Sequence, residues 1–125
     1  MALLEIHRID LACTKVEETI RFYEEIFNID FRRFEEEWGH GYRSELGDIE
    51  FMIVSNEIVN VNAQRSRHQL HFTVPDVIRV TSIAKRHGVW IGPEKKQADG
   101  ISVRMADPDE NPLVFVQLQL HKSEK

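Results

Sequence analysis

The residues best suited by type and placement to acid–base chemistry in this chain are Asp10 and His71. Arg8 and Asp10 alternate with Ile9, Leu11 and Cys13, and Gln69 and His71 alternate with Leu70, Phe72 and Val74. Alternation is the signature of a strand with one face on a core. Arg8 and Asp10 therefore share the polar face of one strand, and Gln69 and His71 share that of another. The two stretches occupy matching places in similar halves of the chain. A carboxylate beside an imidazole orients it and stabilises its charged form, so Asp10 and His71 form a candidate general acid–base pair. The same residues also fit a structural role. Arg8 with Asp10 or Glu50 would make an ion-pair network, and pairing of buried charges says nothing about catalysis.

The elements that must position these residues repeat. After a strand over 3–13, Thr14 and Glu17 read as a capping box. A helix with an apolar stripe of Val16, Ile20, Tyr23, Ile26 and Phe27 follows, stopped by Asn28 in a left-handed conformation. Three strands are expected near 30–36, 41–46 and 49–54, with Gly47-Asp48 as the hairpin turn between the last two. Residues 56–67 show no period and read as a connection. The pattern then restarts with a strand over 69–74 and an Asp76-capped helix. Its stripe is Val77, Val80, Ile83 and Ala84, and Gly88 ends it. Strands near 89–91, 101–105 and 113–117 complete the second half, the last one fed by the polar turn Asp107-Pro108-Asp109-Glu110-Asn111. The class is α+β, with two β-α-β-β-β repeats at about 1–56 and 66–120 inside one domain of 125 residues. Trp38-Gly39-His40-Gly41-Tyr42 falls in the turn between the second and third strands, as a ligand wall or an edge cover. Trp90 is assigned to the core.

Composition narrows the function. A chain with 42% hydrophobic and 30% charged residues has the make-up of a globular protein. A formal net charge of −5 argues against non-specific nucleic-acid binding. The single cysteine, Cys13, excludes an intramolecular disulfide. No apolar run is long enough for a leader or a membrane span, so a cytoplasmic location is expected.

His7-Arg8-Ile9-Asp10-Leu11-Ala12-Cys13, then Ile20-Arg21-Phe22-Tyr23, together with the late turn Asp107-Pro108-Asp109-Glu110-Asn111, resembles the vicinal-oxygen-chelate superfamily. That group includes glyoxalase I, bleomycin-resistance proteins, fosfomycin-resistance enzymes and extradiol dioxygenases. The resemblance implies curved mixed sheets enclosing a cavity, a homodimer, and a divalent metal held by His or Glu from the first and last strands of each repeat. Carried across, those ligand positions are Arg8, Met52, Gln69 and Val114. Arg and Val cannot ligate a divalent cation, a Met thioether suits only soft metals, and a lasting site needs about three or four imidazole, thiolate or carboxylate ligands. No cofactor is expected. A metal would require displaced ligands, through β-bulges that turn His7 and His68 inward or through Asp10, Glu50 and His71. In the metal's place the cavity lining would be Arg8, Asp10, Arg43, Glu50, Met52, Gln69, His71, Arg104 and Val114, with Val103 and Met105 pointing away.

The expected function is a glyoxalase/bleomycin-resistance-like protein that has lost the metal site and binds a small polar molecule. The alternatives are a lyase, isomerase or dioxygenase with displaced metal ligands, a metal-free acid–base enzyme using His71, and a role in association alone.

Overall fold

In a computed structural model, the described residues are 6–37, 39–55 and 69–119. The chain divides into two compact units, Met1–Ala63 and Gln64–Lys125. In the first, β1 (Arg8–Cys13), α1 (Val16–Phe27), β2 (Arg32–Glu36), β3 (Gly39–Leu46) and β4 (Ile49–Ser55) follow in order. They form a four-stranded sheet ordered β1-β4-β3-β2, with β1 parallel to β4 and the other pairs antiparallel. The second unit has the same plan: β5 (Leu70–Thr73), α2 (Val77–Arg86), β6 (Ile91–Gln97), β7 (Gly100–Ala106) and β8 (Pro112–Leu118). Its sheet runs β5-β8-β7-β6, with β5 parallel to β8. The expected α+β repeat is therefore present, with eight strands and two helices among the described residues.

Each helix covers one face of its own sheet. In the first unit Phe22, Tyr23 and Phe51 are fully buried, and the Tyr23 and Phe51 rings meet edge to face at 5.2 Å. Burying each such ring stabilises the fold by about 1.5–3 kcal/mol. The buried stripe is Thr19, Ile20, Phe22, Tyr23 and Ile26. It is rotated from the expected one, so that Val16 and Phe27 lie at its half-buried margins. The entry to α1 differs from the expected one by a residue. Lys15 is the N-cap, with no side-chain cap bond, while the Thr19 hydroxyl donates to the Lys15 carbonyl at 2.6 Å. The helix ends as expected, with Asn28 left-handed at φ 55°.

In the second unit Asp76 caps α2, its Oδ1 accepting from the Ile78 and Arg79 amides at 3.0 and 3.3 Å. Val77, Val80, Ile83 and Ala84 are buried, at the spacing that places them on one helical face. Gln117 Oε1 accepts from the Val77 amide at 2.8 Å, tying the helix start to β8. Trp90 is a correction. It precedes β6 and is 61% exposed, because Ile91, not Trp90, takes the ladder position opposite buried Met105.

The late turn is organised by buried Asp107. Its Oδ1 accepts from the Asp109 and Asn111 amides at 2.8 and 2.9 Å, and its Oδ2 accepts from Asn111 Nδ2 at 2.8 Å. Glu110 adopts φ 67° to close the turn. The segment 56–67, read above as a connection, lies outside the described residues, as does Trp38. Gly39 and His40, expected in the turn ahead of the 41–46 strand, belong to β3.

Candidate functional site

Residues directly opposite each other in a ladder point to the same face. In the first unit Asp10 is opposite Met52, Met52 is opposite Arg43, and Arg43 is opposite Arg32. One step along, Arg8 is opposite Glu50 and Glu50 is opposite Glu45. The face away from α1 therefore carries two rows of mostly charged residues. One step further along the strands it becomes apolar, where Phe34, Met52 and Val54 cluster. Gly41 allows this close approach, since a Cβ there would stand 2.7 Å from Val54 Cγ1 and 2.8 Å from the Ile53 carbonyl.

Arg8 is held between two carboxylates. Its Nε lies 2.8 Å from Asp10 Oδ1, and its second terminal nitrogen donates to Asp10 Oδ2 at 3.2 Å. The other terminal nitrogen is 3.9 Å from Glu50 Oε1. All three side chains are partly exposed, so the network is solvent-screened and its contribution to stability is modest. Arg33 pairs with Glu35 at 3.1 Å at positions of the opposite parity. Hydrogen bonds that Arg33 donates to Glu35 and Tyr42 raise its pKa above the usual value.

The second unit repeats the row in different chemistry. His71 is opposite Val114, and Val114 is opposite Arg104. Asp10, Met52 and Arg43 in one unit thus correspond to His71, Val114 and Arg104 in the other. Arg104 is exposed between buried Val103 and Met105, as strand parity requires, and Gln69 is exposed just ahead of β5. Each of the predicted site residues is placed within its own unit: Arg8, Asp10, Arg43, Glu50 and Met52 share one face, as do His71, Arg104 and Val114.

The ligand positions implied by the resemblance do not fit a divalent metal. Arg8 is itself a cation neutralised by Asp10, while Met52 and Val114 are buried apolar side chains, 2% and 6% exposed. The β1–β4 register runs unbroken from Arg8 to Cys13, so no bulge turns His7 onto the Arg8 face. His68 lies outside the described residues. Among the described residues no group of three or more His, Cys, Asp or Glu side chains is arranged to hold a metal ion.

A groove of about 550 Å³ opens on the first unit, lined by Ile29, Asp30, Arg32, Arg43, Ser44, Glu45 and Glu50. Arg43 and Glu50 were expected on this face; Arg32 and Glu45 were missed. Glu45 shares the parity of Arg43 and was within reach of the alternation rule. Arg32 was not, because its place depends on the β2–β3 register.

A family model for the Glyoxalase/Bleomycin resistance protein/Dioxygenase superfamily matches residues 5–115. Solved structures with the same fold include TnmS3, an antibiotic binding protein from Streptomyces sp. CB03234, at 19% identity and a TM-score of 0.73, covering 95% of this chain and 99% of that one. Fosfomycin resistance protein FosX from Mesorhizobium loti is 19% identical with a TM-score of 0.66, covering 96% of each chain. A lactoylglutathione lyase from Agrobacterium tumefaciens is 12% identical with a TM-score of 0.68, covering 90% of this chain and 92% of that one. At these identities the likeness shows the fold alone. No curated protein sequence matches the chain significantly.

Proposed function

Since the chain belongs to the Glyoxalase/Bleomycin resistance protein/Dioxygenase superfamily, we propose that it is a member without the metal site that binds a small polar molecule. The binding groups are the charged residues on its strand faces: Arg8, Asp10, Arg43 and Glu50 in the first unit, and Gln69, His71 and Arg104 in the second. The observation that carries this reading is the state of Arg8. A guanidinium at a metal-ligand position, already neutralised by Asp10, replaces the cation that the superfamily site would hold. Exposed guanidiniums at Arg43 and Arg104 suit carboxylate or phosphate groups, which they bind through paired hydrogen bonds. The description of TnmS3 as an antibiotic binding protein supports a binding role on this fold. The protein acts in the cytoplasm as a homodimer, with no nucleic-acid partner. No helix among the described residues is long and apolar enough to cross a membrane.

An acid–base enzyme is the second reading, and it needs Asp10 to serve His71. Both Asp10 oxygens are engaged by Arg8, which favours binding over proton transfer.

The test is calorimetric titration of the full chain, with chelator present, against carboxylated metabolites and a bleomycin-type glycopeptide. Saturable binding that chelator leaves unchanged is expected, and Arg43→Ala should weaken it by about tenfold. Absence of binding at millimolar concentration would remove the proposal. Turnover that survives chelator and vanishes in His71→Ala would replace it with the acid–base reading.

A further inference from the structure

We infer that the groove on the first unit takes a small zwitterion, with its oxyanion end between Arg32 and Arg43 and its ammonium end between Glu45 and Glu50. This rests on the binding reading above and assigns that reading a ligand class. The cross-strand register carries the argument. Arg32 is directly opposite Arg43, and Glu45 is directly opposite Glu50. Like charges opposite each other destabilise a sheet, whereas opposite charges stabilise it. Exchanging the signs at Arg43 and Glu45 would have given two favourable cross-strand pairs. The chain instead keeps its cations at one end of the groove and its anions at the other.

These charges are poorly neutralised by the protein. Among the described residues Arg32, Arg43 and Glu45 make no ion pair, and Glu50 has only the 3.9 Å approach of Arg8. Arg43 is nevertheless positioned, since its guanidinium carbon stands 5.7 Å from the centre of the Phe34 ring. That cation–π contact orders the side chain without consuming its hydrogen-bond donors. The volume, about 550 Å³, is that of a small-molecule site. Arg43 and Glu45 are two residues apart on β3, so the arginine and glutamate rows are roughly 7 Å apart along the strand. That separation suits an oxyanion and an amine joined by a few methylenes.

The test uses 6-aminohexanoate, hexanoate and hexylamine as probes on the isotopically labelled full chain, read by amide chemical shifts. The zwitterion is expected to bind at least tenfold more tightly than either monofunctional probe, shifting residues around Arg32, Arg43, Glu45 and Glu50. Arg32→Gln combined with Arg43→Gln should erase its advantage over hexylamine. Glu45→Gln combined with Glu50→Gln should erase its advantage over hexanoate. Arg32→Gln and Glu45→Gln, each alone, should raise the melting temperature by relieving repulsion, whereas a structural role for these charges predicts a fall. Equal affinity for the three probes, or no shifts with any of them, overturns the inference. Shifts confined to the neighbourhood of His71 and Arg104 overturn it too, while leaving the broader binding reading in place.

Discussion

Arg8 stands where the superfamily resemblance assigns a metal ligand, and its guanidinium spends two nitrogens on Asp10. The pair is 42% and 31% exposed, so its coupling should be small: about 0.5–1 kcal/mol in an Arg8→Gln/Asp10→Asn double-mutant cycle. Urea unfolding at low and high salt measures it. The coupling should shrink as salt rises, and a coupling that salt leaves unchanged would mean the pair is desolvated. Asp107 is the opposite case, a carboxylate 2% exposed with three accepted hydrogen bonds. Asp107→Ala should cost about 3 kcal/mol, since it removes charge-assisted bonds and strands buried donors. A loss below about 1 kcal/mol in urea unfolding would show that the turn is closed by its backbone alone. Arg8, Asp10, His71 and Arg104 were legible because alternation fixes which side of a strand a residue takes. Arg32 was not, because partners across a sheet depend on register, and no compact Asn-Gly or Asp-Gly turn between 36 and 39 fixes it.

At the scale of elements, the caps and turns divide cleanly by how local their chemistry is. Asp76 bonds amides two and three residues on, so its role could be read directly. Asp76→Ala should destabilise by about 1 kcal/mol and speed amide exchange in the first turn of α2; unchanged exchange there would contradict the capping role. The start of α1 was read one residue early, since its N-cap is Lys15 at φ −94° and ψ 69°. Trp90 was misplaced for a related reason: an aromatic residue after a glycine favours a strand, but the ladder begins at Ile91. Glu110 holds φ 67°, in the left-handed region that glycine adopts without strain. Glu110→Gly should therefore stabilise by about 0.5–1 kcal/mol, the relief of left-handed strain outweighing glycine's greater freedom when unfolded. A lower melting temperature for this variant would show that the Glu110 side chain contributes more than its backbone costs.

For the whole molecule, the repeat was readable because both halves carry the same order of hydrophobic periods, and the structure resolves each as a sheet with its own helix. Corresponding rows, Asp10–Met52–Arg43 and His71–Val114–Arg104, keep the arginine and vary the rest. Divergence is thus concentrated in the chemistry of the faces, while the ladder that supports them is retained. Ligand identity was not legible, because alternation gives a side chain's direction but not the cross-strand company it keeps. The proposed homodimer predicts twice the chain mass by light scattering at micromolar concentration; a single-chain mass would contradict it. The central claim is that Arg8, Met52, Gln69 and Val114 leave no site for a divalent metal. Elemental analysis tests it most directly, on protein purified without chelator, equilibrated with zinc, nickel, manganese or ferrous iron, and freed of excess ion. The account predicts only trace metal per chain with every ion, whereas a stoichiometric amount retained through gel filtration would contradict it.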